Sequence, residues 1–573
     1  MVFLILFVIG AIAVRASEAV IDMRDFREGD LVVDGFTLDG RTTLSISAIG
    51  AELKHSDDMY ATCWILDSRE REAVWVLTHE DTEPYRKDDY LREFNDEITL
   101  SEGSYEAYYY AGRPYFLEGS NITINDFGDA IEILKYIFED DEEKRYQFYS
   151  ENIEALEFVI KAPEGSFTKF DPVENLGEDV IVEFARAGDD YYQEKGFTLK
   201  EDMDIRITGV GEYSKRDRFF VDYGWIIDAD SRKKVWQMDR WNTSWAGGGR
   251  KNRAFKGEVE LPAGNYIAYF ATDDSHAFGS WNVPPPYDPL VYGMIIYAEK
   301  GRLEAVAEYV DDYTEPLILN ITEVRDNDYE FRGLSLEESK DFHIVALGEF
   351  GYDGHFVDYG WIENLDNQEV VWKMHEDNTD HAGGAAKNRK FDGIVTLPAG
   401  NYVVYYISDD SHSYRRWNAA APIRGELWGI SLYGAGKDFD SDGIDVFQEL
   451  PENTNILVNL VGLGDDEEVR VAFELDKAQR VHIFALGEGR DGDMYDYGWI
   501  EDARTGDIIW EMTYRKTFHA GGDDKNRMVD TQLFLDKGKY YVFFVTDDSH
   551  SFPDFNASRP TNPQKWGIQV TKK

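Results

Sequence analysis

Cysteine is almost missing from this chain. Cys63 is the only one in 573 residues, so no disulfide can form within it, and stability has to come from large cores or bound ions. Basic residues are scarce as well: 59 Lys and Arg stand against 111 Asp and Glu, a formal charge of -52. Nucleic acid and anionic membrane both reward Lys and Arg, so neither is an expected partner. The acidic balance fits a solvated extracellular surface, a salty habitat or calcium binding. Beyond the N-terminus no apolar run is long enough to span a bilayer, and a 3.6-residue helical period is nearly absent. What is present is 43% apolar and 14% aromatic residues, enough to bury the cores of about four domains at roughly 150 residues each.

The N-terminus, "MVFLILFVIGAIAVRASEAV", is apolar from Met1 to Val14 and continues into the small residues between Ala16 and Ala19. It reads as a secretory signal or an apolar N-terminal segment over 1–19, without the Lys or Arg that usually precedes such a run. The expected location is therefore secreted or at the cell surface.

Repetition decides the architecture. "VDYGWI" begins at Val221 and Val357, and "YDYGWI" at Tyr495; "KNR" follows at Lys251, Lys387 and Lys525; "DDSH" begins at Asp273, Asp409 and Asp547. The first Asp lies 29 residues before the Lys, and the Lys 22 residues before the DDSH, in all three copies. A divergent fourth copy lies upstream: an offset of 161 carries Gly35 onto Gly196, Trp64 onto Trp225, Trp75 onto Trp236 and Tyr105 onto Tyr266. Each copy holds short β-branched and aromatic runs divided by turns such as "LPAGNY", which predicts an all-β chain of four tandem antiparallel β-sandwich modules. The expected modules cover 20–163, 176–300, 312–436 and 454–573, with a linker over 437–453. A small, partly helical insertion is expected in module one from Asp129.

Simple up-and-down connectivity sends DYG, AGGxxKNR, DDSH and the following Trp-Asn to one end of each module. The candidate residues are Asp222, Lys251, Asn252, Arg253, Asp273, Asp274, His276, Trp281 and Asn282 in module two. Module three offers Asp358, Lys387, Asn388, Arg389, Asp409, Asp410, His412, Trp417 and Asn418, and module four Asp496, Lys525, Asn526, Arg527, Asp547, Asp548, His550, Phe555 and Asn556. Module one keeps the tryptophans and lacks this set, with Ala61, Tyr90 to Arg92 and Gly112 to Tyr115 in the matched places. The fold is thus separable from the set, and the tryptophans read as core.

Two functions fit the set. Asp, Asn and Arg hydrogen-bond sugar hydroxyls, and Trp281, Trp417 or Phe555 could stack on a sugar face, which makes a polar ligand such as a glycan one reading. The other is an internal network of ion pairs tying loops together, so that modules or subunits dock as in a surface or filament protein. Adjacent Lys and Arg oppose a metal at this end, and one His per module is too few for zinc. Catalysis has no supporting constellation: neighbouring Ser275 and His276 point apart in an extended segment, and three copies suit a binder better than an enzyme.

"DFDSDGIDVFQE", Asp438 to Glu449, is a D-x-D-x-D-G loop with Glu at position twelve. Oxygen ligands at 1, 3, 5 and 12 with Gly at 6 match a calcium loop. The expected ligands are Asp438, Asp440, Asp442, Glu449 and the carbonyl of Ile444. Without long flanking helices, these residues and the following "LPENTN" resemble the calcium linkers of thrombospondin type 3 repeats, which implies a spacer rigidified by calcium. The modules resemble bacterial pre-peptidase C-terminal domains in "FTL", in strands ending "ALGE" (Ala346 to Glu349, Ala485 to Glu488) and in the "PAGNY" turn. That resemblance implies a secreted, calcium-tolerant β-sandwich accessory to exported enzymes.

Overall fold

A computed structural model describes residues 17–52, 58–87, 90–112, 153–172, 179–215, 219–309, 315–351, 354–365, 369–448 and 455–572. The described elements are strands and short 3-10 turns. Most of the segment from Asp129 expected to be partly helical lies outside these residues, as do residues 1–16 of the apolar N-terminal segment. Among the described residues no helix is long and apolar enough to cross a membrane. The strands fall into four sets within two compact units, Met1–Asp312 and Tyr313–Lys573.

Module two illustrates the plan. One layer is ordered Ser244–Trp245, Asn252–Leu261, Met203–Ser214, Gly293–Tyr297, Val180–Glu183. The other is Lys234–Gln237, Phe219–Asp228, Gly264–Ala271, Tyr192–Leu199, Val306–Glu308. Alternation in "MDIRI" puts Met203, Ile205 and Ile207 inside and Asp204 and Arg206 outside, as a half-buried strand requires. Connectivity is not the simple up-and-down one expected. After Lys234–Gln237 the chain crosses to the other layer and pairs Asn252–Leu261 with Met203–Ser214. Strand direction survives this crossing, so the recurrent polar residues still reach the same end.

The linkers contribute strands of their own. Phe167–Phe170, Val306–Glu308 and Ile444–Phe447 each add an edge strand to the module they follow. Close approach explains the glycine opposite: a Cβ at Gly333 would sit 1.9 Å from the Phe447 ring, so no side chain fits there. The second half of the "DFDSDGIDVF" segment is therefore sheet belonging to module three. Module four ends its second layer at Glu468–Leu475 with four strands, and Ala472 takes the place of Gly333.

Of the DYGW tryptophans Trp225 and Trp361 are buried and Trp499 half-buried, and the matching Trp64, also buried, lies outside its module's interior. Cys63 and Ile65 enter the core between the layers, so pleating sends Trp64 and Leu66 to the opposite face. There they join Tyr108 and Tyr110 in a separate cluster that also contains Leu290 of module two. The same aromatic step recurs as Trp64 on Tyr108, Trp225 on Tyr269, Trp361 on Tyr405 and Trp499 on Phe543, with ring centroids 5.2, 5.0, 4.8 and 4.7 Å apart.

Candidate functional site

Strand register assembles the cluster. In module two the ladder from Met203–Leu261 ends by placing Glu212 opposite Asn252, and the next hairpin places Glu212 opposite Asp222. Tyr223 then pairs with Ala271, which brings Asp222 to the start of the DDSH segment. The three segments thus converge at one end.

Asp222, Asp358 and Asp496 are fully buried. One carboxylate oxygen of each accepts the backbone N–H of Asp273, Asp409 or Asp547 at 2.8, 2.7 and 2.9 Å. The other oxygen accepts from the Tyr292 hydroxyl, from Trp428 Nε1 at 3.0 Å, or from Trp566 Nε1 at 2.8 Å. The first Asp of DDSH turns its own loop by accepting the N–H two residues on, from Ser275, Ser411 or Ser549. That turn forces His276, His412 and His550 into the left-handed region, with φ of 59°, 54° and 58°, a conformation non-glycine residues adopt only when the surroundings hold them.

Each histidine is held through Nε2, which faces Asn252, Asn388 or Asn526 Oδ1 at 2.6, 2.6 and 2.7 Å. The amide nitrogen of that Asn donates twice: to Gly247 and Pro284, to Gly383 and Ala420, or to Gly521 and Ser558. The Asn oxygen must therefore accept, which fixes the proton on His Nε2. Glycine is obligatory in the loop it grips, because a Cβ at Gly384, where φ is +67°, would lie 2.1 Å from the Ala421 carbonyl.

Lys251, Lys387 and Lys525 pair with Glu212, Glu349 and Glu488 at 3.1, 2.9 and 3.1 Å. Lys387 and Lys525 also reach Asn418 and Asn556. The three glutamates are part of the site, yet they escape the spacing argument, since 10, 9 and 8 residues separate them from the Asp of DYG. The hairpin between the two varies in length, and the usable signal is the recurrent "GE" ending the preceding strand.

Burial pushes Glu212 and Glu349 up to about 7, Asp273 to about 6 and Asp496 to about 7, and pushes Asp222 and Asp358 well above the carboxylate range. Burial and then the nearby Lys387 or Lys525 drive His412 and His550 down to about 4, and burial and Lys251 drive His276 well down too. Glu349, Asp358 and Asp409 each offer an oxygen within 4.8 Å of the other two, as do Glu488, Asp496 and Asp547. Such groups could hold a metal ion.

The remaining candidates divide between the rim and the network. Asp274, Asp410 and Asp548 are exposed. Arg253, Arg389 and Arg527 turn to the crossing loop, where Nε donates to the Oγ1 of Thr243, Thr379 and Thr517 at 3.2, 3.3 and 3.0 Å. Module one keeps this clamp in Arg92, which donates to Thr82 at 3.1 Å. Arg92 matches Arg253 at the offset of 161, so the expectation that the whole set is lost together is corrected: the arginine belongs to the fold. Asn282, Asn418 and Asn556 are exposed, yet Asn418 and Asn556 join the network, with Oδ1 facing His412 or His550 Nδ1 at 2.9 Å and accepting from the lysine; Trp281, Trp417 and Phe555 are half-buried. Those three rings lie edge-on to the histidine, at 5.1, 5.1 and 5.2 Å between centroids.

In modules two and four the loop gripped by the Asn is also the loop that touches the preceding module of the same unit. In the first unit, Trp64 Nε1 donates to the Tyr287 carbonyl at 2.7 Å, the Tyr110 hydroxyl to the Trp281 carbonyl at 3.1 Å, and Arg71 pairs with Asp288. In the second unit, the Tyr359 hydroxyl meets Thr561 Oγ1 at 2.6 Å and Lys565 pairs with Glu363 at 2.8 Å. A cleft of about 800 Å³ opens beside this second contact, lined among others by His355, Glu363, His375, His519 and Lys565.

In the linker Asp438, Asp440 and Asp442 are exposed. Asp440 Oδ1 accepts the Asp442 N–H at 2.9 Å, and Ile444 opens the strand paired with Leu336. Glu449 lies outside the described residues.

No family model matches the chain, and no curated protein matches it. Among solved structures it is similar to the CBM32-1, CBM32-2 and M60 catalytic domains of Clostridium perfringens ZmpB, at 8% identity and a TM-score of 0.11. That likeness covers 67% of this chain and 53% of the other, so the chain spans about half of that structure's length. It is also similar to a chain in the structure of the lipid-containing bacteriophage PM2, at 13% identity and a TM-score of 0.10, over 67% of this chain and 99% of that one. Likenesses of this size carry no argument about function.

Proposed function

We propose that this is an exported structural protein of the cell surface or of a filament, in which the polar cluster braces an end loop so that module two docks on module one and module four on module three. One observation carries the reading. The loop fixed by Asn526 through Ser558 is the loop whose Thr561 and Lys565 meet Tyr359 and Glu363, and the loop fixed by Asn252 through Pro284 carries the Tyr287 and Asp288 that meet Trp64 and Arg71. Its groups are spent on one another. Asp222, Asn252 and His276 have no exposed surface, whereas sugar recognition needs open acceptors and an open aromatic face. Trp281, the ring suited to stacking, packs against the module-one aromatic cluster instead.

A charge swap tests it. Trp361 is fully buried. Under hydroxyl-radical footprinting, E363K and K565E are each expected to oxidise Trp361 several-fold faster than wild type, and the double variant to return toward wild type. Unchanged protection in both single variants would contradict the docking reading.

Calcium at Asp438, Asp440 and Asp442, with the Ile444 carbonyl and Glu449, would stiffen the step between modules three and four. Chelation is expected to lower the thermal midpoint of the wild type by a few degrees more than that of D440A. An equal response in the two proteins sinks this part.

A further inference from the structure

We propose that modules three and four each hold one divalent cation, calcium by the chemistry of the donors, in the trios Glu349–Asp358–Asp409 and Glu488–Asp496–Asp547, each made of two buried carboxylates and one half-buried one. These sites are separate from the linker loop and from any glycan site. In each trio the carboxylate oxygens come within 4.8 Å of one another, and the central Asp has no exposed surface. Against three carboxylates stands one ammonium, Lys387 or Lys525, so the ionised set is two charges short of neutral. The arginine two residues after that lysine is turned away, its guanidinium committed to Thr379 or Thr517, which removes half of the sequence objection to a cation at this end.

A second observation points the same way. Glu349 and Glu488 are 7% and 8% exposed, and in each the lysine engages one oxygen while the other, Oε2, is sealed from solvent with no hydrogen-bond partner. An enclosed carboxylate oxygen without a donor is costly, and the omission repeats at Glu212 in module two; only in modules three and four do two further carboxylates lie close enough to share a cation with it. All donors are carboxylates, hard ligands that suit calcium better than softer metals.

A cation there would tie three segments that hydrogen bonds already bring together: the strand ending at Glu349, the strand beginning near Asp358 and the DDSH turn at Asp409. It would thereby stiffen the loop from Asp409 to Trp428, and in module four the loop from Asp547 to Trp566. Module two has Glu212, Asp222 and Asp273 in the matching places, with Tyr292 replacing the tryptophan donor, but its oxygens are not among the groups drawn within 4.8 Å. Two sites are therefore expected, not three.

Terbium, a calcium substitute whose emission is excited through nearby indoles, is the probe. Trp428 Nε1 lies 3.0 Å from Asp358 and Trp566 Nε1 2.8 Å from Asp496. The full chain carrying D440A and D442A, which remove the linker loop, is stripped with chelator and titrated. The expected result is saturable emission at two equivalents, competed by calcium, falling to one in E349Q or E488Q and to none in the double variant, while E212Q leaves both. Hydrogen exchange on the same D440A, D442A chain gives an independent reading: calcium should slow exchange over 409–428 and 547–566. Absence of saturable binding, a stoichiometry untouched by E349Q plus E488Q, or exchange indifferent to calcium would overturn the proposal. Loss of linker calcium alone cannot imitate any of these, because the linker carboxylates are already gone.

Discussion

Modules one and two share a fold and differ at one end. Where module two buries Glu212 and Asp222, module one buries Ala51 and Ala61, 1% and 0% exposed. Where Lys251 and Asn252 stand, module one has Tyr90 and Leu91. Both keep the arginine clamp on the crossing loop, Arg92 on Thr82 and Arg253 on Thr243, and both keep the stacked aromatic step on the outer face. The sandwich thus needs the clamp and the aromatics but not the buried acids. What module two adds with the acids, Asn252 and His276 is a loop held firmly enough to lie on module one.

The comparison breaks first at the aspartate. Asp222→Ala copies Ala61 but strands the Asp273 N–H and the Tyr292 hydroxyl inside, so a loss of roughly 3–5 kcal/mol is expected in urea denaturation. Adding Glu212→Ala, which copies Ala51 as well, should cost less than the two single losses summed, because neighbouring charges leave together. Strict additivity would mean the acids do not act as one unit.

A second, smaller effect is read from pH. The Glu212 carboxyl is held up to about 7 by burial, against about 4.3 in an unfolded chain. Between those values the unfolded chain has released its proton and the folded chain has not, so stability falls as pH rises through this window and is flat on either side. Relative to wild type, Glu212→Gln should gain on the order of 3 kcal/mol between pH 4.5 and 7. His276, pushed the opposite way, is common to both proteins and cancels in the difference. A pH-independent difference would show that this carboxyl is not held protonated.

Much of this was legible in the residues. Fixed spacings of 29 and 22 exposed the duplication, because the strands they span must keep length to keep register, and alternation in runs such as "MDIRI" gave the strands. The convergence of DYG, KNR and DDSH on one end followed from strand direction alone, and so survived an unexpected crossing between layers. The glutamates were hidden by hairpins of changing length. Trp64 was read as interior because a buried aromatic looks the same whether the opposite layer or the next module covers it. Arg253 was grouped with its neighbours in "KNR", although adjacent strand residues face opposite ways and its side chain leaves toward Thr243.

The central claim joins the buried cluster to the docked face, and Asn526→Ala tests that joint directly. The amide of Asn526 hydrogen-bonds to His550, Gly521 and Ser558, all within module four. The variant is expected to lose about 2 kcal/mol and, under hydroxyl-radical footprinting, to expose Trp361 and Tyr359 along with the loop from 555 to 566. Exposure of the loop while Trp361 and Tyr359 stay as protected as in the wild type would contradict the account.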